Sequence, residues 1–391
     1  MTPFASSSSS TRGIALGALA VPLLALALAA PASAGARPGS LPPDDVAFID
    51  RAVAAQMAEQ RLPGVTVSIR APGKGTFLRS YGASNISTGR PLRPSDHYRI
   101  ASVTKTFVAT AILQLADRGR LSLDDRLSKY VAGVPKGDTI TIRQLLGMRA
   151  GVFDWLDDPQ FIAAYNADPL LPGWQPEDVI GVLQRNADKA QPPGQTPAVY
   201  SDSNYILLGL IIERVTHRSA ERYIERKVVR PLGLRETSFP TVTTLPRPFS
   251  HGYDDTLGTL RDVTVQSVSV PWTAGAMVST VPDMTRYARL LARGALLSPE
   301  TQAERLAFSP LDTGGPPSPF FVGYGLGMTK IGAWIGHDGS IFGYSDFVFY
   351  LPSARATIVV MVNRAGSTDV PATATWFAIA NHLYPDSFPP P

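Results

Sequence analysis

The chain contains no cysteine. That excludes a disulfide scaffold, a thiol nucleophile and any cysteine-ligated metal site, so the fold must be held by its core. Histidine is scarce too. His97, His217, His251, His337 and His382 are the full set, and no two have the spacing of a metal-ligand pair. Charged residues make up only 17% of the 391 positions, the net charge is +4 and no basic block stands out, which argues against a nucleic-acid partner. There is no Gly-x-Ser-x-Gly elbow and no repeat of fixed period.

Long apolar runs are missing as well, except at the N-terminus. There Arg12 precedes the apolar stretch 14–30, and Ala32-Ser33-Ala34 follows as a small-residue cleavage pattern. Residues 1–34 therefore read as a signal peptide, which predicts a secreted protein with no stable membrane anchor. No cysteine follows that could take a lipid. Residues 35–43, rich in Gly and Pro, read as a flexible lead-in.

Periodicity organises the rest. A helix is predicted over 45–61, and a hairpin over 65–70 and 76–81 that turns at Gly73-Lys74-Gly75. From 121 to 292 the pattern is mainly helical, with helices expected at 140–146, 176–185, 203–216, 220–229 and from a Thr280 cap through 291. Strands return at 324–328, 333–335, 345–351 and 356–363, and 372–383 closes as a helix. The expected fold is α/β (α+β) over 44–391. Its mixed antiparallel sheet is built from both chain ends, 44–101 and 293–391, with flanking helices and a mainly helical insertion at 102–292. A cleft would lie between the two parts.

Within this frame, Ser102 and Lys105 stand three residues apart at the start of a helix that ends at Asp117-Arg118-Gly119. Residues i and i+3 share a helix face, so the ammonium lies one turn from the hydroxyl. The helix N-terminus adds unpaired N–H groups. A serine nucleophile needs a group to take its proton and donors to hold the oxyanion, and this segment begins to supply both. This is the only Ser-x-x-Lys in the chain, and its lysine sits in an otherwise apolar helix. Two further segments lie at the boundary between the parts: Tyr200-Ser201-Asp202, ahead of an apolar helix, and Gly336-His337-Asp338-Gly339-Ser340 on a late strand.

Together these motifs resemble those of class C β-lactamases, soluble D-alanyl-D-alanine carboxypeptidases and related esterases, which combine Ser-x-x-Lys with Tyr-x-Asn and His-x-Gly or Lys-Thr-Gly. Leu145-Leu146-Gly147-Met148-Arg149-Ala150-Gly151, Pro231-Leu232-Gly233-Leu234, 274–280 and Tyr324-Gly325-Leu326-Gly327 extend the likeness over most of the mature chain. The resemblance implies a β-lactamase/transpeptidase-like fold and an acyl-enzyme at Ser102, with no cofactor and no metal. It implies an oxyanion hole from the N–H groups of Ser102 and Ser340. It also implies Tyr200 as the proton relay, with Lys105 and protonated His337 as the cations that bring its hydroxyl into range.

Two departures bear on the substrate. Asp202 replaces the family's Asn, and a carboxylate facing Lys105 keeps that lysine protonated and leaves Tyr200 as the base. Asp338 stands where Thr is commoner. The carboxypeptidases hold the substrate's terminal carboxylate with a cation after the Tyr-Gly-Leu-Gly strand, and here only Lys330 is near. Asp338, Gly339 and Lys330 are thus the expected substrate-binding residues. The leading expectation is a D-alanyl-D-alanine carboxypeptidase-like, penicillin-binding peptidase acting on a small-molecule or peptide substrate (D-Ala-D-Ala peptide, β-lactam or ester). The alternatives are an esterase or a true β-lactamase, a D-amino amidase or aminopeptidase, and a catalytically silent relative that binds cell-wall peptide.

Overall fold

The structure is a computed structural model that describes residues 39–256, 258–315, 318–366 and 370–389. The predicted signal peptide and residues 35–38 of the lead-in lie outside the described residues.

Apolar, β-branched runs from the two chain ends form most of one sheet, and, against expectation, the insertion adds a two-residue edge strand at Ala198–Val199. Its strands are Gly64–Ala71 (β1), Gly75–Asn85 (β2), Arg90–Pro91 (β3), Ala198–Val199 (β4), Ser309–Asp312 (β5), Val322–Tyr324 (β6), Thr329–Ile331 (β7), Trp334–Ile341 (β8), Tyr344–Leu351 (β9) and Ala356–Val362 (β10). They lie in the order β3-β2-β1-β10-β9-β8-β7-β6-β5-β4. All pairs are antiparallel except β4 with β5. N- and C-terminal halves meet where Val65 pairs with Val362 and Arg70 with Thr357. Every residue of β9 and β10 is buried, so both faces of the sheet are covered.

Alternation along the strands sorts the two cores. Val65, Val67, Phe347, Phe349, Ile358 and Val360 pack one way, against Pro43–Glu59 (α1) and Ala372–Leu383 (α7). Val348, Tyr350, Val359 and Met361 pack the other way, into the core shared with the helical part. That part includes Thr104–Asp117 (α2), Pro159–Ala167 (α3), Asp178–Arg185 (α4), Ser203–Thr216 (α5) and Val281–Ala292 (α6). Each large apolar side chain buried this way contributes roughly 1.5–3 kcal/mol. No helix of the described residues is long and apolar enough to cross a membrane.

Two further expectations need correction. The strand predicted over 324–328 is broken: β6 stops at Tyr324, and Gly327 turns the chain with φ +80° toward β7. A Cβ on Gly327 would lie 2.2 Å from that of Ala109, so the turn is moulded to α2. Thr280 does occupy the N-cap position of α6, but its side chain makes no capping hydrogen bond.

Candidate active site

Ser102 sits in a tight 3-10 turn, Ala101–Val103, that feeds directly into α2. Ala101 takes φ +41°, a left-handed conformation that is costly for a residue with a side chain. The turn is held on both sides: Ile100 donates its N–H to Met277 O at 2.9 Å, and Met277 donates its own to Thr104 Oγ1 at 3.1 Å.

The second residue of α2 is Lys105, whose side chain is wholly buried. Its Nζ donates to Ser102 Oγ at 2.9 Å, to Asp202 Oδ1 at 2.5 Å and to the Ala274 carbonyl at 2.8 Å. Three N–H bonds thus meet three acceptors, the pattern of an ammonium. Burying such a charge costs several kcal/mol unless it is paired, and Asp202 is the pair. Asp202 therefore faces Lys105, and its side chain keeps 18% exposure.

Tyr200 closes the set, with its ring centre 5.0 Å from Lys105 Nζ. Burial and then the Asp202 charge push the phenol well above its usual range, so it rests neutral.

His337 lies on β8, its ring 6.3 Å from that of Tyr200. Its Nδ1 is 2.6 Å from the Asp338 carbonyl, which accepts only, so Nδ1 carries the proton. Nε2 is then free to accept from the Tyr324 hydroxyl at 3.0 Å. Burial lowers the imidazole pKa, and the Lys105 charge lowers it further, while the neighbouring Asp338 acts the other way. The expectation of a protonated His337 beside Tyr200 is thus replaced by a neutral imidazole held by Tyr324.

Gly339 brings β8 onto the nucleophile. A Cβ there would meet Ile100 O at 2.8 Å, Ala101 Cβ at 3.1 Å and Ser102 N at 3.3 Å. Only a glycine lets the strand that carries Ser340 come this close to the Ser102 amide. Asp338 keeps 37% side-chain exposure. Lys330 is engaged elsewhere. Its Nζ lies 5.8 Å and 5.5 Å from the ring centres of Phe308 and Phe321, and the described residues give it no ion pair or hydrogen bond.

Tyr165 of α3 stacks on Phe342 in the β8–β9 turn, with ring centres 5.6 Å apart. Two residues of this neighbourhood escape sequence reasoning. Tyr324 belongs to a predicted strand and to the Tyr-Gly-Leu-Gly motif, with no sign in the sequence that its hydroxyl meets His337. Asp154 accepts the Asp202 N–H at 2.9 Å from a turn distant in sequence, which no local pattern signals. Among the described residues, no group of three or more His, Asp or Glu is placed to hold a metal ion.

Similarities to known proteins agree with this geometry. The family model described as Beta-lactamase matches residues 49–381. Protein flp of Staphylococcus aureus (strain N315) is 27% identical over 325 residues, which is 81% of this chain but 62% of that relative, so the chain spans less than two thirds of its length. Among solved structures, the D-stereospecific amidohydrolase from Streptomyces sp. is 29% identical with a TM-score of 0.73, covering 85% of this chain and 97% of that one. The octameric penicillin-binding protein homologue from Pyrococcus abyssi is 28% identical, also with a TM-score of 0.73, over 87% of this chain and 77% of its own. A family match of this extent, on a chain that gathers Ser102, Lys105, Tyr200 and His337 in one set of contacts, places the protein in the Beta-lactamase family of serine hydrolases.

Proposed function

We propose that the protein is an amidohydrolase that forms an acyl-enzyme at Ser102, acting on small amides of D-amino acids that carry a free amine. The observation that supports it best is the charge around the nucleophile. Lys105 is consumed by Asp202, Lys330 lies against two phenyl rings, and Arg149 is bound to the Gln195 and Gly194 carbonyls. With Asp202 paired to Lys105, the partly exposed charge left near Ser102 is Asp338, which suits an ammonium and repels the terminal carboxylate of a D-Ala-D-Ala peptide. The likeness to a D-stereospecific amidohydrolase points the same way. The carboxypeptidase expectation thus has the weaker support.

In this reading Ser102 Oγ attacks the amide carbonyl, and the N–H groups of Ser102 and Ser340 take the developing oxyanion. The Ser102 proton passes to Tyr200 Oη as the tyrosine's own proton moves to the leaving nitrogen, and the C–N bond breaks. A neutral phenol is competent for that exchange, and no standing phenolate is needed. Lys105 stays an ammonium and orients Ser102. Water then reverses the relay to release the acid.

The test compares hydrolysis of a D-amino amide with that of an N-acylated D-Ala-D-Ala peptide, together with the intact mass after a serine-directed fluorophosphonate. The expected result is a kcat/KM at least tenfold higher for the amide, a single adduct lost in Ser102→Ala, and acylation slowed about 10²–10⁴-fold in Tyr200→Phe. A preference for the carboxylate-terminated peptide overturns the substrate class, and an adduct that persists in Ser102→Ala overturns the nucleophile.

A further inference from the structure

Behind the carboxylate that faces Lys105 stands a second one. Asp154 occupies the N-cap of a short turn, Trp155–Asp157, and is half-buried. Its Oδ1 accepts the Leu156 N–H at 3.1 Å, an ordinary local cap, but its Oδ2 accepts the N–H of Asp202 at 2.9 Å. Neighbouring bonds join the same two turns: Ser203 Oγ donates to Phe153 O at 2.7 Å and accepts the Trp155 N–H at 3.0 Å. Trp155 is itself buried, edge-on to Phe161 at 4.4 Å. The Tyr200–Ser203 turn is therefore set as much by this aromatic-anchored segment as by the helix it precedes.

We propose that Asp154 is a positioning residue for the Ser102 reaction: by accepting the Asp202 N–H it fixes the turn that carries Tyr200, and by standing behind Asp202 it keeps that carboxylate directed onto Lys105. The inference rests on Ser102 being the nucleophile. The charges facing Asp154 are Asp202 from the start of α5 and Asp157 from its own turn, while Lys105, on α2, is bonded to Asp202. Burial and then the Asp202 charge push Asp154 up to about 7. Above that pH its charged form grips the Asp202 N–H more strongly. Below it the neutral acid holds the turn less firmly, so the reaction should quicken as pH rises through neutrality.

The experiment follows the rate of fluorophosphonate labelling of the full chain from pH 5 to 9, with peptide mapping of the label, in wild type, Asp154→Asn and Asp154→Ser. Serine at 154 keeps an oxygen at the turn without a titrating group, and it serves if the Asn variant does not fold. The expected result is a wild-type rate that rises near pH 7, and variants that are slower by tenfold or more and lack that rise. A variant with the wild-type pH profile overturns the proposal, even if its melting temperature falls, because Asp154 is then structural only. If the wild-type label maps away from Ser102, the nucleophile assignment fails and the proposal falls with it. If the label maps to Ser102 and the profiles match, the proposal falls alone.

Discussion

A methyl group on Gly339 would press on the Ile100 carbonyl, the Ala101 methyl and the Ser102 amide together. Two of those three atoms are backbone, and Ala101 is already held in a left-handed conformation, so β8 rather than the turn has to move. A shift of a few tenths of an ångström is small for stability but large for a group that must meet an oxyanion. Gly339→Ala should therefore lower the acylation rate about 10²–10³-fold with little change in melting temperature. Unimpaired acylation in this variant would show that β8 takes no part in holding the tetrahedral intermediate. The pairing of Ser102 with Lys105 was legible because helical spacing alone brings i and i+3 together. The state of His337 was not, because it depends on Tyr324, which reaches it across strands that no local pattern aligns.

At the scale of elements, the joint between α3 and α4 decides whether the insertion stays over the cleft. Asp158 caps α3 by accepting the Phe161 N–H at 2.7 Å. The same carboxylate binds Arg185 at the end of α4 through two bonds, of 2.6 and 3.0 Å, and accepts from Asn186 Nδ2 at 2.7 Å. The Arg185 guanidinium holds Asp158 well below the usual carboxylate range. The sign follows directly. A depressed folded pKa gives stability that is complete above the unfolded value of about 4 and is lost as pH falls below it. Asp158→Ala should cost roughly 2–4 kcal/mol at neutral pH and open the segment 159–175 to limited proteolysis. The same variant should lose less at pH 3 than at pH 7, and an equal loss at both would remove the ion pair from the account. Periodicity placed most of these elements, since α5 and α7 begin and end where the apolar pattern does. It failed at 324–328, where an apolar and glycine-rich stretch suits a strand locally but the close approach of Ala109 demands a turn.

For the molecule as a whole, one buried acid stands out. Asp346 on β9 pairs with Gly339 on one side and Met361 on the other, and it is fully buried. Neither of its carboxyl oxygens has a hydrogen-bond partner among the described residues. Burial alone pushes it well above the usual carboxylate range, so the folded protein retains a proton that the unfolded chain gives up near pH 4. Stability should then fall as pH rises above 4, by about 1.4 kcal/mol per unit until the folded pKa is reached. Asp346→Asn keeps the shape and removes the titration. Denaturant unfolding at pH 5 and 7 should find the variant gaining on the wild type by about that slope, and a constant difference would mean that Asp346 does not hold its proton.

The joining of β1 to β10 fixes when the protein comes to life. A nascent chain that has reached α6 already carries Ser102, Lys105, Tyr200 and Asp202, yet it lacks β8, the strand that lies against the Ser102 amide. β1 has by then only β2 beside it on the sheet, and waits for β10, which follows α6 in the chain. A nascent or truncated chain that stops before β8 therefore lacks the strand that lies against the Ser102 amide, and it should not acylate.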